Sequence, residues 1–325
     1  MNRKILVITI SLVGLLAALG IVFYKPIVNL LVGAGTRGQA LGHWRTASSS
    51  AVEAAASGEA KDYYTVWGGE AERLFVKPVG VIERLRTESI LKRYVPKPPA
   101  VVYDVGGGAG VYAFPLAQQG YTVHLLDFTP LHITQATERM QKTGIQLAEC
   151  AVGDARAIKA PDATADVVLY FGPLYHLQDP LDRKKALHEA YRILKPGGMF
   201  LAVAISRFSV ACNFGNKNQL HDPQIVALAK DVVETGKNNN PEYKHPFFAS
   251  AYFHHPDEFE KEVKDAGFKD VQLLSIEGPS WLFSSLEKII GDQQSLEHLL
   301  SVLEATEKDR SIMGTSAHIM AIGKK

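Results

Sequence analysis

Five short apolar runs punctuate the middle of the chain: Ala100–Tyr103, Tyr121–Leu126, Ile145–Cys150, Asp166–Phe171 (apolar after its first residue) and Met199–Ile205. Runs this short, bounded by Gly, Pro and Asp, predict buried strands. Before the last of them, Leu181, Ala186, Leu187, Ala190 and Leu194 recur at helical spacing and stop at Lys195-Pro196-Gly197-Gly198, a helix terminator with a cation in the last turn. A further helix is predicted ahead of the first strand, through Val79, Ile82, Leu85, Ile90 and Leu91, ending before Pro96. Downstream come a helix over Asp257–Ala266 with Gly267 as its cap, a strand over Val271–Ile276, two amphipathic helical stretches over 284–304 and a last strand over 316–322. Strands alternating with helices in this way predict an α/β fold.

The first two strands are joined by Asp104-Val-Gly106-Gly107-Gly108-Ala109-Gly110, and the second closes on an acid, Asp127. Glycines permit positive φ and close approach to a bulky ligand. A helix starting near Val111 offers N–H groups at its N-terminus, and an acid at Asp127 suits a ribose diol. These residues together predict a nucleoside-containing cofactor. The dinucleotide fingerprint G-x-G-x-x-G fails, because its third glycine falls on Val111 or Ala113, and no Gly-Lys-Ser/Thr of a nucleotide P-loop follows. The pattern that fits is acid-x-Gly-x-Gly-x-Gly, with Asp104, Gly106, Gly108 and Gly110 in register.

On that pattern, on Gly153-Asp154 after the third strand, and on Leu194-Lys-Pro-Gly-Gly before the fifth, residues 60–325 resemble the class I S-adenosylmethionine-dependent methyltransferases. The resemblance implies a Rossmann-like seven-stranded sheet flanked by helices, its last strand antiparallel, with S-adenosyl-L-methionine as cofactor. It implies cofactor contacts from Asp104, Gly106, Gly108, Gly110, Asp127 and Phe171, and from Asp154 to the adenine amino group. Tyr63, Tyr64 and Trp67 would belong to a lid, and Arg73, Arg84 and Arg86 are candidates to hold a carboxylate. The acceptor site would lie in an insertion over 206–250, with a second insertion over 278–312. Tyr175 and His176 follow the fourth strand at its C-terminal end, where ligands of open α/β sheets bind; they are the candidate catalytic pair, with His254 and His255 in reserve. The Asn-Pro-Pro-Tyr motif of many nucleobase and amide methyltransferases is replaced by Phe171-Gly-Pro-Leu174.

The first sixty residues differ in character. Arg3 and Lys4 precede Ile5–Tyr24, twenty residues without a charge, and Lys25-Pro26 closes the run. That length suffices to cross a bilayer. Residues 1–32 are therefore read as an N-terminal hydrophobic helix forming a single-pass membrane segment, 33–60 as a linker, and 61–325 as the methyltransferase domain, facing the cytosol. A cleaved signal peptide and a mitochondrial targeting segment remain open alternatives.

Charge narrows the acceptor. Residues 61–325 hold 30 Lys and Arg against 32 Asp and Glu, with no basic stripe, which argues against nucleic acid. Cys150 and Cys212 are the only cysteines and form no metal-binding spacing, so no metal is expected. A small-molecule or lipid-like acceptor is the expectation. A non-catalytic binding or scaffolding module and a nicotinamide oxidoreductase are the competing classes. Sequence leaves the oligomeric state open.

Overall fold

Every second residue of the predicted strands disappears into one face of a sheet or the other. Val167 and Leu169 pack with Val102, Leu125, Leu201 and Phe114, whereas Val168 and Tyr170 pack with Tyr103, Phe200, Leu187 and Phe259. This is the two-residue period of a strand covered on both faces. The structure is a computed structural model describing residues 70–239 and 250–325. The expected membrane segment over 1–32, the expected linker over 33–60, and the aromatic residues Tyr63, Tyr64 and Trp67 lie outside the described residues. No helix among the described residues is long and apolar enough to cross a membrane.

Helices α1 (Glu70–Val76) and α2 (Pro78–Tyr94) lead into strand β1 (Val101–Val105). Then come α3 (Ala113–Gln118), β2 (Thr122–Asp127), α4 (Pro130–Thr143), β3 (Glu149–Val152), β4 (Ala165–Tyr170), α5 (Pro173–His176), α6 (Pro180–Ile193) and β5 (Leu194–Ile205). Next come α7 (Ser209–Asn216), α8 (Pro223–Thr235) and a two-stranded ribbon, β6 (Lys237–Asn238) with β7 (Ala251–Tyr252). After α9 (Pro256–Asp265) and β8 (Lys269–Ser275) come α10 (Leu286–Gly291), α11 (Gln293–Thr306) and α12 (Arg310–Met313), and then β9 (His318–Lys324).

The sheet has seven strands in the order β3-β2-β1-β4-β5-β9-β8. Strands β1 to β5 run parallel, and β9 is antiparallel to both β5 and β8. The seven-stranded expectation holds, with local differences. Gly144 ends α4 in the left-handed conformation at φ 73°, and the third strand forms over 149–152 rather than 145–150. The Lys195-Pro-Gly-Gly198 run does not separate α6 from β5. It falls inside β5 where the register with β4 slips, from Ala165 opposite Leu194 to Val167 opposite Met199. A chain that turns this tightly at a proline satisfies the same residues as a bulge.

Helix α2 is bound to the far end of the chain. Buried Arg86, 1% exposed, pairs with buried Glu307 and donates from Nε to the Ile276 carbonyl at 3.2 Å. Arg93 closes on the same carboxylate at 2.6 and 2.7 Å. Arg84 pairs with Glu88 on its own helix at 2.7 Å. Both Arg84 and Arg86 are therefore committed to carboxylates of the chain itself.

Candidate active site

Along the C-terminal edge of the parallel strands lies a cavity of about 560 Å³. It is lined by the glycine turn, by Asp127 and Phe128 at the end of β2, by Gly153–Arg156 after β3, by Phe171–Pro173 and Tyr175–Leu177 after β4, and by residues of α1 and α2. This is the edge at which open α/β sheets bind ligands.

The four glycines of the turn do different work. A Cβ on Gly106 would meet Pro173 Cδ at 2.6 Å, one on Gly107 the Asp104 carboxyl at 2.5 Å, and one on Gly110 the Phe114 ring at 2.7 Å. These three let the turn sit against the protein's own atoms. A Cβ on Gly108 would meet nothing nearer than His132 Nδ1 at 3.9 Å, although Gly108 lines the cavity. The turn is thus open on the side where a ligand would lie. Its amides are already used: Gly106 N donates to the Leu126 carbonyl at 2.7 Å, and Gly108 N to Asp127 Oδ2 at 2.8 Å. A pyrophosphate, as in a nicotinamide dinucleotide, therefore finds no amide cradle at residues 106 and 108; the helix expected near Val111 starts at Ala113.

Asp104 and Gly110 lie beneath the turn instead of on the cavity wall. Asp104 is fully buried and its carboxyl makes no hydrogen bond of ordinary geometry. Burial first, and the Asp127 charge second, push its pKa from 3.8 up to about 7, with the nearby Ala113 amide offsetting part of this. Between those pH values the folded protein holds a proton that the unfolded chain has lost. The group's contribution to stability therefore falls as pH rises from about 4 to about 7 and is level above. Asp104→Asn, which has the shape of the protonated form, should gain roughly a few kcal/mol relative to the native chain across that window. Urea unfolding at pH 5 and pH 7.5 checks this, and a constant difference between the two proteins would refute it.

Asp127 is 6% exposed and lines the cavity. Its Oδ1 accepts from Thr129 N at 2.8 Å and lies 3.0 Å from His132 Nδ1. With Gly108 N on Oδ2, three of the roughly four lone-pair directions of the carboxylate are engaged. A ribose hydroxyl would take the remaining one. Asp127→Ala should weaken S-adenosylhomocysteine binding roughly 10- to 100-fold, the value of one hydrogen bond to a charged group; unchanged affinity in a calorimetric titration would remove Asp127 from the site.

Asp154 reaches the cavity already paired. Arg156 grips it at 2.7 to 3.1 Å and extends to Asp182 at 2.7 Å. These hydrogen bonds hold the Asp154 carboxyl below its usual range. Phe128 lines the same cavity and is 49% exposed, an aromatic face available to a purine that sequence reading missed although it directly follows Asp127.

Phe171 lines the cavity with its ring edge-on to Tyr112 at 5.3 Å. Tyr175 and His176 reach it too, their rings 4.7 Å apart. The Tyr175 hydroxyl donates to the Phe171 carbonyl at 3.0 Å, so its proton is committed to the backbone. Burial pulls the His176 pKa down to about 4, with Asp127 opposing and His132 adding to the effect. At neutral pH this imidazole is uncharged, a hydrogen-bond acceptor and a weak base. The reserve histidines are elsewhere: His254 is fully buried against Glu262 at 3.3 Å, and His255 caps α9 by accepting from Asp257 N at 3.1 Å. Neither belongs to the cavity lining among the described residues. Of the acceptor site expected over 206–250, Tyr243, His245, Phe247 and Phe248 lie outside the described residues.

Arg73, Glu83, Thr87 and Tyr112 also line the cavity. Of these, sequence reading had singled out only Arg73. Their signal is weak because α1 and α2 precede the glycine turn and carry charge all round.

The turn's open side, an acid at the ribose position and an exposed aromatic beside it fit S-adenosyl-L-methionine. When bound, this cofactor supplies an electrophilic methyl group on a sulfonium. Comparison with known proteins agrees. Residues 102–198 match the family described as "Methyltransferase domain". The chain is 26% identical over 200 residues to the ubiquinone/menaquinone biosynthesis C-methyltransferase UbiE of Zymomonas mobilis subsp. mobilis, covering 61% of this chain and 79% of that protein. The UbiE of Caulobacter vibrioides is 33% identical over 140 residues, which span 39% of this chain and about half, 53%, of that relative. The mitochondrial 2-methoxy-6-polyprenyl-1,4-benzoquinol methylase of Oryza sativa subsp. japonica is 24% identical, with 61% and 72% covered. Among solved structures, the fold is shared with phosphoethanolamine N-methyltransferase 2 of Haemonchus contortus in complex with S-adenosyl-L-methionine, at TM-score 0.51 and 19% identity over 82% of this chain and 59% of that one. The nicotinamide and non-catalytic alternatives give way to an enzyme that transfers a methyl group to a small molecule. The methyltransferase-domain match over residues 102–198, the C-methyltransferase relatives and the shared fold together support a class I S-adenosylmethionine-dependent methyltransferase.

Proposed function

We propose that this enzyme methylates a ring carbon of a small, largely apolar acceptor of the quinol type. The observation that carries the reading is the lining of the cavity beyond the glycine turn, where Leu74, Phe171, Leu177, Val203 and Ile276 face the ligand space. Relatives named as quinone-biosynthesis C-methyltransferases and as a benzoquinol methylase support it. The chemistry asks little of side chains. An in-line displacement breaks the sulfonium–methyl bond as the carbon–carbon bond forms, and catalysis is chiefly holding the two partners near attack distance while water is excluded. The ring proton lost afterwards is strongly acidic, so a weak neutral base such as His176 suffices.

Incubating the full chain with methyl-labelled cofactor and a reduced 2-methoxy-6-decyl-1,4-benzoquinol tests this. Label in the quinol ring supports it. Label in an amine acceptor and not in the quinol would replace carbon methylation by nitrogen methylation. The apolar run Ile5–Tyr24 fits the same reading, as a tether to the bilayer in which such an acceptor dissolves. Deleting residues 5–24 should move the protein from the membrane pellet to the supernatant, and a deleted chain that still sediments with membranes would overturn the tether.

A further inference from the structure

Strand order divides the cavity into two halves. The glycine turn after β1, Asp127 after β2 and Asp154 after β3 place the nucleoside over β3-β2-β1. The remaining half lies over β4, β5, β9 and β8. With strands about 4.8 Å apart, β9 stands about 14 Å from β1. The wall on this side is apolar at Leu74, Val203 and Ile276, interrupted by the ion pair of Glu83 with Arg73.

Glu83 is 8% exposed and lines the cavity. Arg73 bonds both of its oxygens, at 2.5 and 2.9 Å. His318, the first residue of β9, lies 3.8 Å away through Nδ1 and is itself held by Glu277 at 2.6 Å. Glu277 is fully buried, and its second oxygen accepts from Ser316 Oγ at 3.1 Å and His318 N at 3.0 Å. The carboxylates of Glu83 and Glu277 and the His318 ring converge closely enough to face one metal ion, with ligand atoms within 4.8 Å. Their partners instead join them as alternating charges. Burial opposes the charge on His318, but Glu277 and Glu83 outweigh it and raise its pKa to about 9. Burial likewise opposes the Glu83 charge, and Arg73 and His318 outweigh it, holding that carboxyl below its usual range. Such a network is an expensive way to fasten a helix to a sheet, since apolar residues of the same volume usually do so as well or better. What it provides is a fixed carboxylate on the wall of an apolar cavity. Each carboxylate oxygen offers about two lone-pair directions, and Arg73 uses one on each.

The geometry points to Glu83 as the residue that binds a hydroxyl of the acceptor, with Arg73, His318 and Glu277 as its positioning residues. The inference rests on the methyl-transfer reading above and adds a chemical selection to it. An ionised carboxylate only accepts hydrogen bonds. It therefore takes a ring bearing phenolic O–H donors and rejects the oxidised quinone, whose carbonyls only accept. The reduced ring is also the electron-rich one, the form able to attack a methyl sulfonium.

Binding of three probes to the full chain saturated with S-adenosylhomocysteine decides the matter: 2-methoxy-6-methyl-1,4-benzoquinol, its quinone and its dimethyl ether. The native protein should bind the quinol at least about 10-fold tighter than the other two, about 1.4 kcal/mol. Glu83→Gln should bring that ratio close to one while S-adenosylhomocysteine affinity stays within about twofold. Glu83→Asp keeps the charge and withdraws it by one methylene; it should give an intermediate ratio, and it decides the question if Glu83→Gln unfolds. A native protein that binds the three probes alike overturns the inference, as do variants that keep the native ratio. A parallel loss of S-adenosylhomocysteine affinity would move Glu83 to the cofactor instead. Failure of the folded native chain to bind S-adenosylhomocysteine would be a different result, striking the methyl-transfer reading itself.

Discussion

Gly108→Val should reduce S-adenosylhomocysteine binding more than 100-fold, to below detection in an ordinary titration, while the protein remains folded. Two costs must be separated. Gly108 has φ +58°, and a side chain there costs about 1–2 kcal/mol of backbone strain. That is a loss most domains survive. The protein itself has room for the new atoms, since His132 Nδ1 at 3.9 Å is the one neighbour of the first of them. The valine methyls would extend into the ligand space, so the larger cost falls on binding. Gly106→Val is the contrasting case. Its Cβ meets Pro173 at 2.6 Å, so it should damage the fold as well. Circular dichroism and thermal melting distinguish the two variants. A Gly108→Val protein that binds the ligand normally would show that the cofactor does not pass over this turn.

Arg86→Met should destabilise the protein by about 3 kcal/mol, the lower end of the cost of breaking a buried ion pair. Arg86 and Glu307 are each 1% exposed, so the carboxylate left behind cannot rehydrate without opening the packing between α2 and the end of α11. Arg93 stays within 2.6 Å of it, which is why the upper end of the range is not expected. Removing both charges in Arg86→Met/Glu307→Leu should recover part of the loss. Urea midpoints for the single and double variants measure this. A single variant within about 0.5 kcal/mol of the native chain, the usual range for surface substitutions, would mean that the pair does not anchor α2.

The parts of this fold that were legible in the sequence are those in which one local rule acts alone. Runs such as Asp166–Phe171 are too short and apolar to be anything but buried strands, and Gly106 and Gly108 mark a turn that other residues would strain. The antiparallel last strand came from family resemblance, since Ser316–Ile322 reads the same in either direction. Where two local rules compete, the reading slipped. Pro196-Gly197-Gly198 signals a helix stop and also tolerates a bulge, and pairing with β4 settled it as part of β5. Within the site, Asp127 was legible because an acid closing a strand is unusual. Glu83 was not, because an acid on a charged helix is ordinary, and only the arrival of His318 and Ile276 from 190 or more residues away makes it a wall of the cavity. Asp104 is expected at the cofactor from its place in the glycine pattern, and the structure buries it beneath the turn, off the cavity lining.

The position of β9 has a consequence for biosynthesis. Residues 318–324 follow every other strand of the sheet in sequence, yet they sit between β5 and β8. Until that segment leaves the ribosome, both neighbours present unpaired strand edges, a recognised route to aggregation. A chain cut short before residue 318 would leave both neighbours unpaired, a natural client for chaperones and proteases.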